Sequence, residues 1–452
     1  MSLFSRPRFS ERHLLTMLLV ALLTLATTLL IRATTGGWAT PDPSRPPAPT
    51  PIELSAEAML ARLQDKLRQN PEDTVAYAQL GLAYLQRVRE TGDPSFYNLA
   101  EKALAEALQR EPQQLEALIG QGMLALARHD FETALVWAEQ AQAINPFRAQ
   151  ILGISVDALV ELGRYEEAVK TLQAMVDLRP DLASYSRVSY LRELHGDMAG
   201  AIAAMQWAVD ASQPGSESML WVQTQLGHLY FNQGDFQRAE EIYRQTLLFN
   251  PEYVYAMAGL ARAQAARGNT TAAIASYRDV VERLPLPEFV IALGELYEAT
   301  GQAEEAARQY DLVRVMQKLN ASAGVDVDLE LALFEVEHGN DPARALQQAR
   351  AAYERRPNIY AADTLAWALY HNGRYAEARA YSQEALRLGS RDAMLHYHAG
   401  MIAYALKDLA AARAYLQEAL AINPAFSIRH APRAQILLAE LGSDQASSAD
   451  EP

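Results

Sequence analysis

Residues Trp221 to Pro251 read WVQTQLGHLYFNQGDFQRAEEIYRQTLLFNP. Leu226 and Tyr230, then Ala239, Tyr243 and Leu247, recur at i, i+4, the spacing that sets side chains on one face of a helix. Gly234 and Asp235 form a turn between the two sets, and Pro251 ends the second because proline cannot continue a helix. The stretch predicts two short amphipathic helices. Gly227 stands where they must approach each other, and its lack of a Cβ permits it.

The same skeleton returns along the chain. Pro112, Pro146, Pro180 and Pro214 follow one another at steps of 34 residues, and Pro251, Pro285, Pro357 and Pro424 continue the series. The first unit carries Tyr77, Leu80, Gly81 and Tyr84, then Ala100, Leu104 and Ala107. The tenth carries Gly400, Ala412 and Ala419. The seventh fits at Leu293, Gly294, Tyr297, Ala306 and Tyr310, but Lys318 stands where a proline would close it. The irregular segment Asn320 to Asp328 is therefore the expected hinge or break. A period of this length means stacked units, each of which can bury its apolar face only against a neighbour.

The order L-G-x2-Y, A-x3-[FY], P resembles the tetratricopeptide repeat, and the resemblance covers Thr74 to Pro424. It implies an all-α fold, a right-handed superhelical solenoid of about ten helix-turn-helix units. It also implies a non-catalytic protein-protein interaction scaffold that binds a peptide segment or partner helix in its concave groove. With the N-terminal segment described below, the chain resembles membrane-anchored bacterial members of the family that act in envelope assembly. One such type ends in a rubredoxin-like metal module, which a chain without cysteine cannot build.

Composition narrows the reading further. Half of the residues are hydrophobic, rich in Ala and Leu, which favours helix. The absence of cysteine excludes disulfides, thiolate zinc sites and cysteine nucleophiles. The formal charge is -15, although residues 1 to 32 are basic through Arg6, Arg8, Arg12 and Arg32. The remainder is strongly acidic and has no basic stripe, so no nucleic-acid partner is expected.

Leu14 to Ile31 is an uncharged apolar run whose eighteen residues span about 27 Å as a helix, close to the thickness of a bilayer. Arginines precede it. The expectation is a single-pass membrane protein with residues 1–32 as cytoplasmic stub and transmembrane anchor, and the repeat body extracytoplasmic. A cleaved signal peptide is the alternative. Residues 33–52 form a Pro-rich linker, 53–441 the solenoid with capping helices, and 442–452 a disordered acidic tail.

Repeats of this family line their groove with the first helix of each unit, and the resemblance places specific residues there. In the last two units these are Tyr360, Asp363, Trp367, Tyr370, His371, Tyr397, Met401 and Tyr404. A secondary groove is expected at Trp221, His228, Phe231 and Tyr255. Large aromatics in a groove anchor peptides; the same side chains can instead bury against the next superhelical turn or the C-terminal cap. The third unit offers Gln150, Gly153, Asp157, Val160 and Glu161 at these positions. Lysine and asparagine are missing from the positions where some members clamp a peptide's terminal carboxylate, so a basic or apolar segment suits the groove better. A glycan-binding envelope module and an accessory helical subunit of a separately encoded enzyme complex are the alternatives. His396 and His398, two apart on a helix, point away from each other and cannot share one ion. Asp326, Asp328 and Glu330 do not follow a calcium loop, and no catalytic motif stands on a strand. No enzyme activity, cofactor or metal is expected.

Overall fold

A computed structural model describes residues 56–449. These form twenty-two α-helices and no strand. Ten pairs run from Thr74–Thr91 with Ser95–Arg110 to Ala393–Ala405 with Leu409–Ile422; Ala56–Gln69 precedes them and His430–Ala449 follows. Contacts run mainly between helices adjacent in the chain and between first helices of successive units. The apolar core is accordingly a row of local clusters.

The unit Glu217–Asn232 with Phe236–Phe249 shows why the motif folds this way. The chain reverses through Gly234 at a φ of 79°, a left-handed conformation that suits glycine. Asp235 then caps the second helix by accepting from the Arg238 amide at 3.0 Å. The Tyr243 ring is wedged between Gly227 and Gly259, and a Cβ on either would overlap it. A glycine of this kind is thus where a neighbouring helix inserts a side chain, as Gly294 receives the Tyr310 ring and Gly81 and Gly400 receive Leu104 and Leu416.

The array coils back upon itself. Turns inside units one to five meet the loops that close units six to ten. Gly92 lies beside Leu284 and Leu286. The Arg128 carbonyl accepts from the Asp326 amide at 2.8 Å, and His129 Nδ1 lies 2.8 Å from the Asp326 carbonyl. Asn358 donates Nδ2 to the Glu161 carbonyl at 2.9 Å, and the Tyr165 hydroxyl accepts from the Ile359 amide at 2.9 Å. Gly196 faces the Gly389 carbonyl, and Asn423 donates Nδ2 to the Phe231 carbonyl at 2.8 Å. The side-chain amides of this joint therefore satisfy carbonyls that the ends of the first helices leave without an intrahelical partner. Bonded partners across it stand 192 to 198 residues apart.

Some expectations need correction. Lys318 does not end the seventh unit, whose second helix runs Ala303–Ser322. The segment after it is no break, because both backbone groups of Asp326 are bonded to the first coil. The last helix reaches Ala449, beyond the expected start of the tail. The Pro-rich stretch lies outside the described residues. The single-pass membrane localisation is overturned: no helix among the described residues is long and apolar enough to cross a membrane. Leu14 to Ile31 itself lies outside them.

Candidate functional site

The structure gathers half of the expected C-terminal groove residues, Asp363, Trp367, Tyr397 and Met401, into a buried core. Trp367 is 2 % exposed. It stacks on His398 with ring centroids 4.1 Å apart and on Tyr370 at 4.6 Å. Its indole N–H donates to Glu337 Oε1 at 2.6 Å. Tyr397, stacked on His430 at 4.8 Å, and Met401 are also buried, as is Asp363. Asp363 Oδ2 lies 2.8 Å from His398 Nδ1. Tyr360, Tyr370 and Tyr404 are half-buried, and His371 alone is exposed.

The cover comes from the start of the last helix. Arg429 donates to Glu337 Oε2 at 2.8 Å, and His430 Nε2 lies 2.9 Å from the same oxygen. Burial opposes the charge on Glu337, but His430 by hydrogen bond and charge, then His398 and Arg429, hold its pKa down at about 2. For His398 burial again opposes the charge, and Asp363 then raises the pKa above the ordinary imidazole value. His396 turns to the Ser390 carbonyl, 3.3 Å from Nε2, so the two histidines serve different partners.

The secondary set is dispersed. Trp221 is exposed, and among the described residues no ring contact joins it to His228, Phe231 or Tyr255. His228 Nδ1 lies 2.7 Å from the Tyr243 hydroxyl. Burial, reinforced by Arg262, pushes its pKa down to about 3, so it is neutral. Phe231 is buried beneath the Arg262 guanidinium, 4.0 Å from its ring centroid. Tyr255 packs edge-on against Phe289.

A cavity of about 340 Å³ opens elsewhere, between the two coils. The first helices of the third and fourth units contribute Asp157, Glu161, Arg187 and Tyr190, and the second coil contributes Glu330 and Arg356. Arg187 grips both oxygens of Asp157 at 2.8 and 2.6 Å. Arg356 grips both oxygens of Glu330 at 3.0 and 2.9 Å. Arg187 uses two nitrogens, the bidentate geometry that fixes both planes, whereas Arg356 sets one nitrogen between the two oxygens.

Glu161 is different. It forms no ion pair among the described residues and accepts only from the Asn358 side chain, at 3.3 Å. Burial raises its pKa, against the pull of Arg356. The wall continues through Glu193, which accepts from Asn232 Nδ2 at 3.0 Å, and Asp392, which accepts from the Met394 amide at 2.8 Å. Burial raises both of these carboxyls as well, Asp392 adding to the shift at Glu193. Tyr190 and Tyr360 line the same wall, their hydroxyl pKa values pushed well up by burial and then by each other's neighbours. Tyr190 is nonetheless 38 % exposed. Protein surrounds it, yet water reaches it, as expected on the floor of a concavity.

The repeat pattern already put Asp157 and Glu161 at groove-facing positions. Nothing in the pattern could bring Glu330 and Arg356 to them, since that depends on coil-to-coil contact.

The tetratricopeptide repeat model matches residues 93–149, 155–216, 224–288 and 364–425, together more than half of the chain. Tetratricopeptide repeat protein 13 of Homo sapiens is 25 % identical over 199 residues, 43 % of this chain. The chain spans only 21 % of that relative's length. Solved structures that match include the APC/C hetero-tetramer Cut9-Hcn1, with a TM-score of 0.39, 17 % identity and coverage of 85 % of this chain and 82 % of that one. The human IFIT1 dimer with PPP-AAAA matches with a TM-score of 0.46, 16 % identity and coverage of 74 % and 79 %. Repeats of this kind mark protein-protein interaction scaffolds, and by the extent of the model match the chain belongs to the tetratricopeptide repeat family.

Proposed function

We propose that the protein is a non-catalytic scaffold that holds an extended, basic segment of a partner protein along its concave wall. One observation carries the reading. Glu161, Glu193 and Asp392 are enclosed carboxylates held by neutral donors, with pKa values raised by burial and no ion pair among the described residues. Like-charged, desolvated carboxylates are costly, and an incoming lysine or arginine supplies the missing counter-charge. Tyr190 and Tyr360 flank them with flat, partly polar surface for the stem of such a side chain. Of the aromatic positions expected near the C-terminus, Tyr360 belongs to this wall, and Tyr370, His371 and Tyr404 are the others that solvent reaches. The stacked units are already ordered, so the partner alone loses conformational freedom on binding.

Fluorescence anisotropy tests the reading with an extended Lys/Leu peptide and its Glu/Leu counterpart as probes. The expected result is binding of the basic peptide only, weakening with added salt. Loss of at least about tenfold in affinity is expected in Glu161→Gln/Glu193→Gln/Asp392→Asn. Equal binding of both peptides, or an unchanged triple variant, overturns it.

A further inference from the structure

The joint between coils is built from a short vocabulary that the chain also displays where nothing among the described residues covers it. The tenth unit closes on Ile422-Asn423-Pro424. Ile422 is 3 % exposed there. Asn423 accepts from the Ala425 amide through Oδ1 at 2.9 Å and donates Nδ2 across the joint to the Phe231 carbonyl. The second unit closes on the same tripeptide, Ile144-Asn145-Pro146. Asn145 Oδ1 again accepts, from the Phe147 amide at 3.0 Å, but Ile144 is 40 % and Phe147 78 % exposed. Asn250 repeats the turn at the close of the fifth unit, accepting from the Glu252 amide at 3.0 Å, beside Leu248, 83 % exposed, and Phe249. Leu248 and Phe147 are the two most exposed large apolar side chains among the described residues. Both flank closing loops of the first coil.

The complementary edge is open too. A Cβ on Gly163, Gly196 or Gly234 would run into a loop of the next coil, whereas one on Gly268, Gly301 or Gly373 would meet no atom. Half of the turns are thus covered by loops of the same chain, and among the described residues the turns at Gly268, Gly301 and Gly373 face open space. We propose that the loop edge of units one to five docks on the turn edge of units six to ten of a second copy of this chain, repeating the internal joint between molecules. Unlike surfaces meet in such a contact, so it is heterologous and leaves a free edge at each end, and assembly proceeds head to tail rather than stopping at a symmetric pair. The exposed isoleucine, leucine and phenylalanine side chains supply the apolar area, and the Nδ2 groups of Asn145 and Asn250, which meet no acceptor among the described residues, supply direction. The groove is not involved, so this inference stands apart from the peptide-binding reading.

Sedimentation velocity of the full chain from about 1 to about 100 µM tests it. A concentration-dependent series of species beyond a dimer is expected. Phe147→Glu/Leu248→Glu changes only exposed side chains and should leave the melting temperature in place while weakening association at least about tenfold. Val136→Glu alters an exposed apolar residue off both edges and should associate like the parent. Because the chain has no cysteine, Gln302→Cys can be blocked selectively with a polymer-bearing maleimide; that species should fail to grow alone yet pair with the loop-edge variant. A parent chain that stays monomeric throughout overturns the proposal, as does association lost equally in Val136→Glu or retained in the loop-edge variant. Failure of the blocked protein to pair with the loop-edge variant also overturns it.

Discussion

Units nine and ten and units three and four present the same repeat positions to the concave side and make opposite uses of them. Trp367 and Asp157 occupy one such position. Trp367 is closed over by His398 of the next unit and by the His430 ring, edge-on with centroids 6.2 Å apart, whereas the Asp157 side chain is 38 % exposed. Four residues earlier the contrast is Asp363 against Gly153. Asp363 fixes His398, while Gly153 leaves a gap that the Arg187 guanidinium crosses on its way to Asp157. The residue at a groove position decides which chemistry is available, and the next layer of protein decides whether that chemistry is core or surface. A repeat at the end of an array must be capped, and here the cap consumes the aromatics that the repeat pattern assigns to a ligand.

The sharpest way to break the comparison is Trp367→Ala. If the C-terminal units are core, the deletion costs about 3–5 kcal/mol through lost burial and the cavity left behind. Equilibrium denaturation should then show the C-terminal units melting well before the rest, since stability in such arrays is a sum of local terms. A loss under about 1 kcal/mol would put Trp367 on a surface after all.

Glu337→Gln should come next, at about 3 kcal/mol, because it strips the carboxylate that Arg429 and His430 share, leaving Arg429 only the longer Glu298 contact at 3.5 Å and His430 no carboxylate among the described residues. The same measurement has a pH limb. The Glu337 pKa, held at about 2 against an ordinary 4.5, contributes stability above pH 4.5 that disappears as pH falls toward 2. The raised pKa of His398 contributes below about pH 6.5 and loses its contribution as pH rises through the folded value. The C-terminal units should therefore be most stable in mildly acidic solution, and Glu337→Gln should flatten the acid limb. An acid limb of equal depth in the variant would mean that other carboxylates cause it.

Much of this molecule was legible as a string of residues, and the part that was not has a physical cause. The helix pairs, the Gly227 contact and the closing prolines are local, and periods of 3.6 and 34 residues record them directly. His398 apposed to Glu337, or Asn358 to Glu161, depends on the pitch of the superhelix, a sum of small rotations that no single motif encodes. Lys318 misled for the opposite reason. A missing proline removes a stop signal without specifying what replaces it, and the helix ran on to Ser322. Asp157 and Glu161 could be placed on the groove by their repeat positions, yet the raised pKa of Glu161 depends on the burial it shares with the second coil.

The smallest expected effect on stability carries the most information about function. Tyr190→Ala removes a ring that water reaches, so its cost to folding should stay within about 1 kcal/mol and the thermal transition should barely move. The effect on a basic peptide should be much larger, about tenfold in affinity, because an aromatic at the floor of a concavity contributes contact area that only the bound state uses. Tyr370→Ala serves as the contrast. Its ring stacks on Trp367, so it should lower stability and leave peptide affinity within about twofold. If the two variants exchange places, with Tyr190→Ala destabilising the protein and Tyr370→Ala weakening the peptide, then the C-terminal units are the binding surface and the wall at Glu161 and Glu193 is structural.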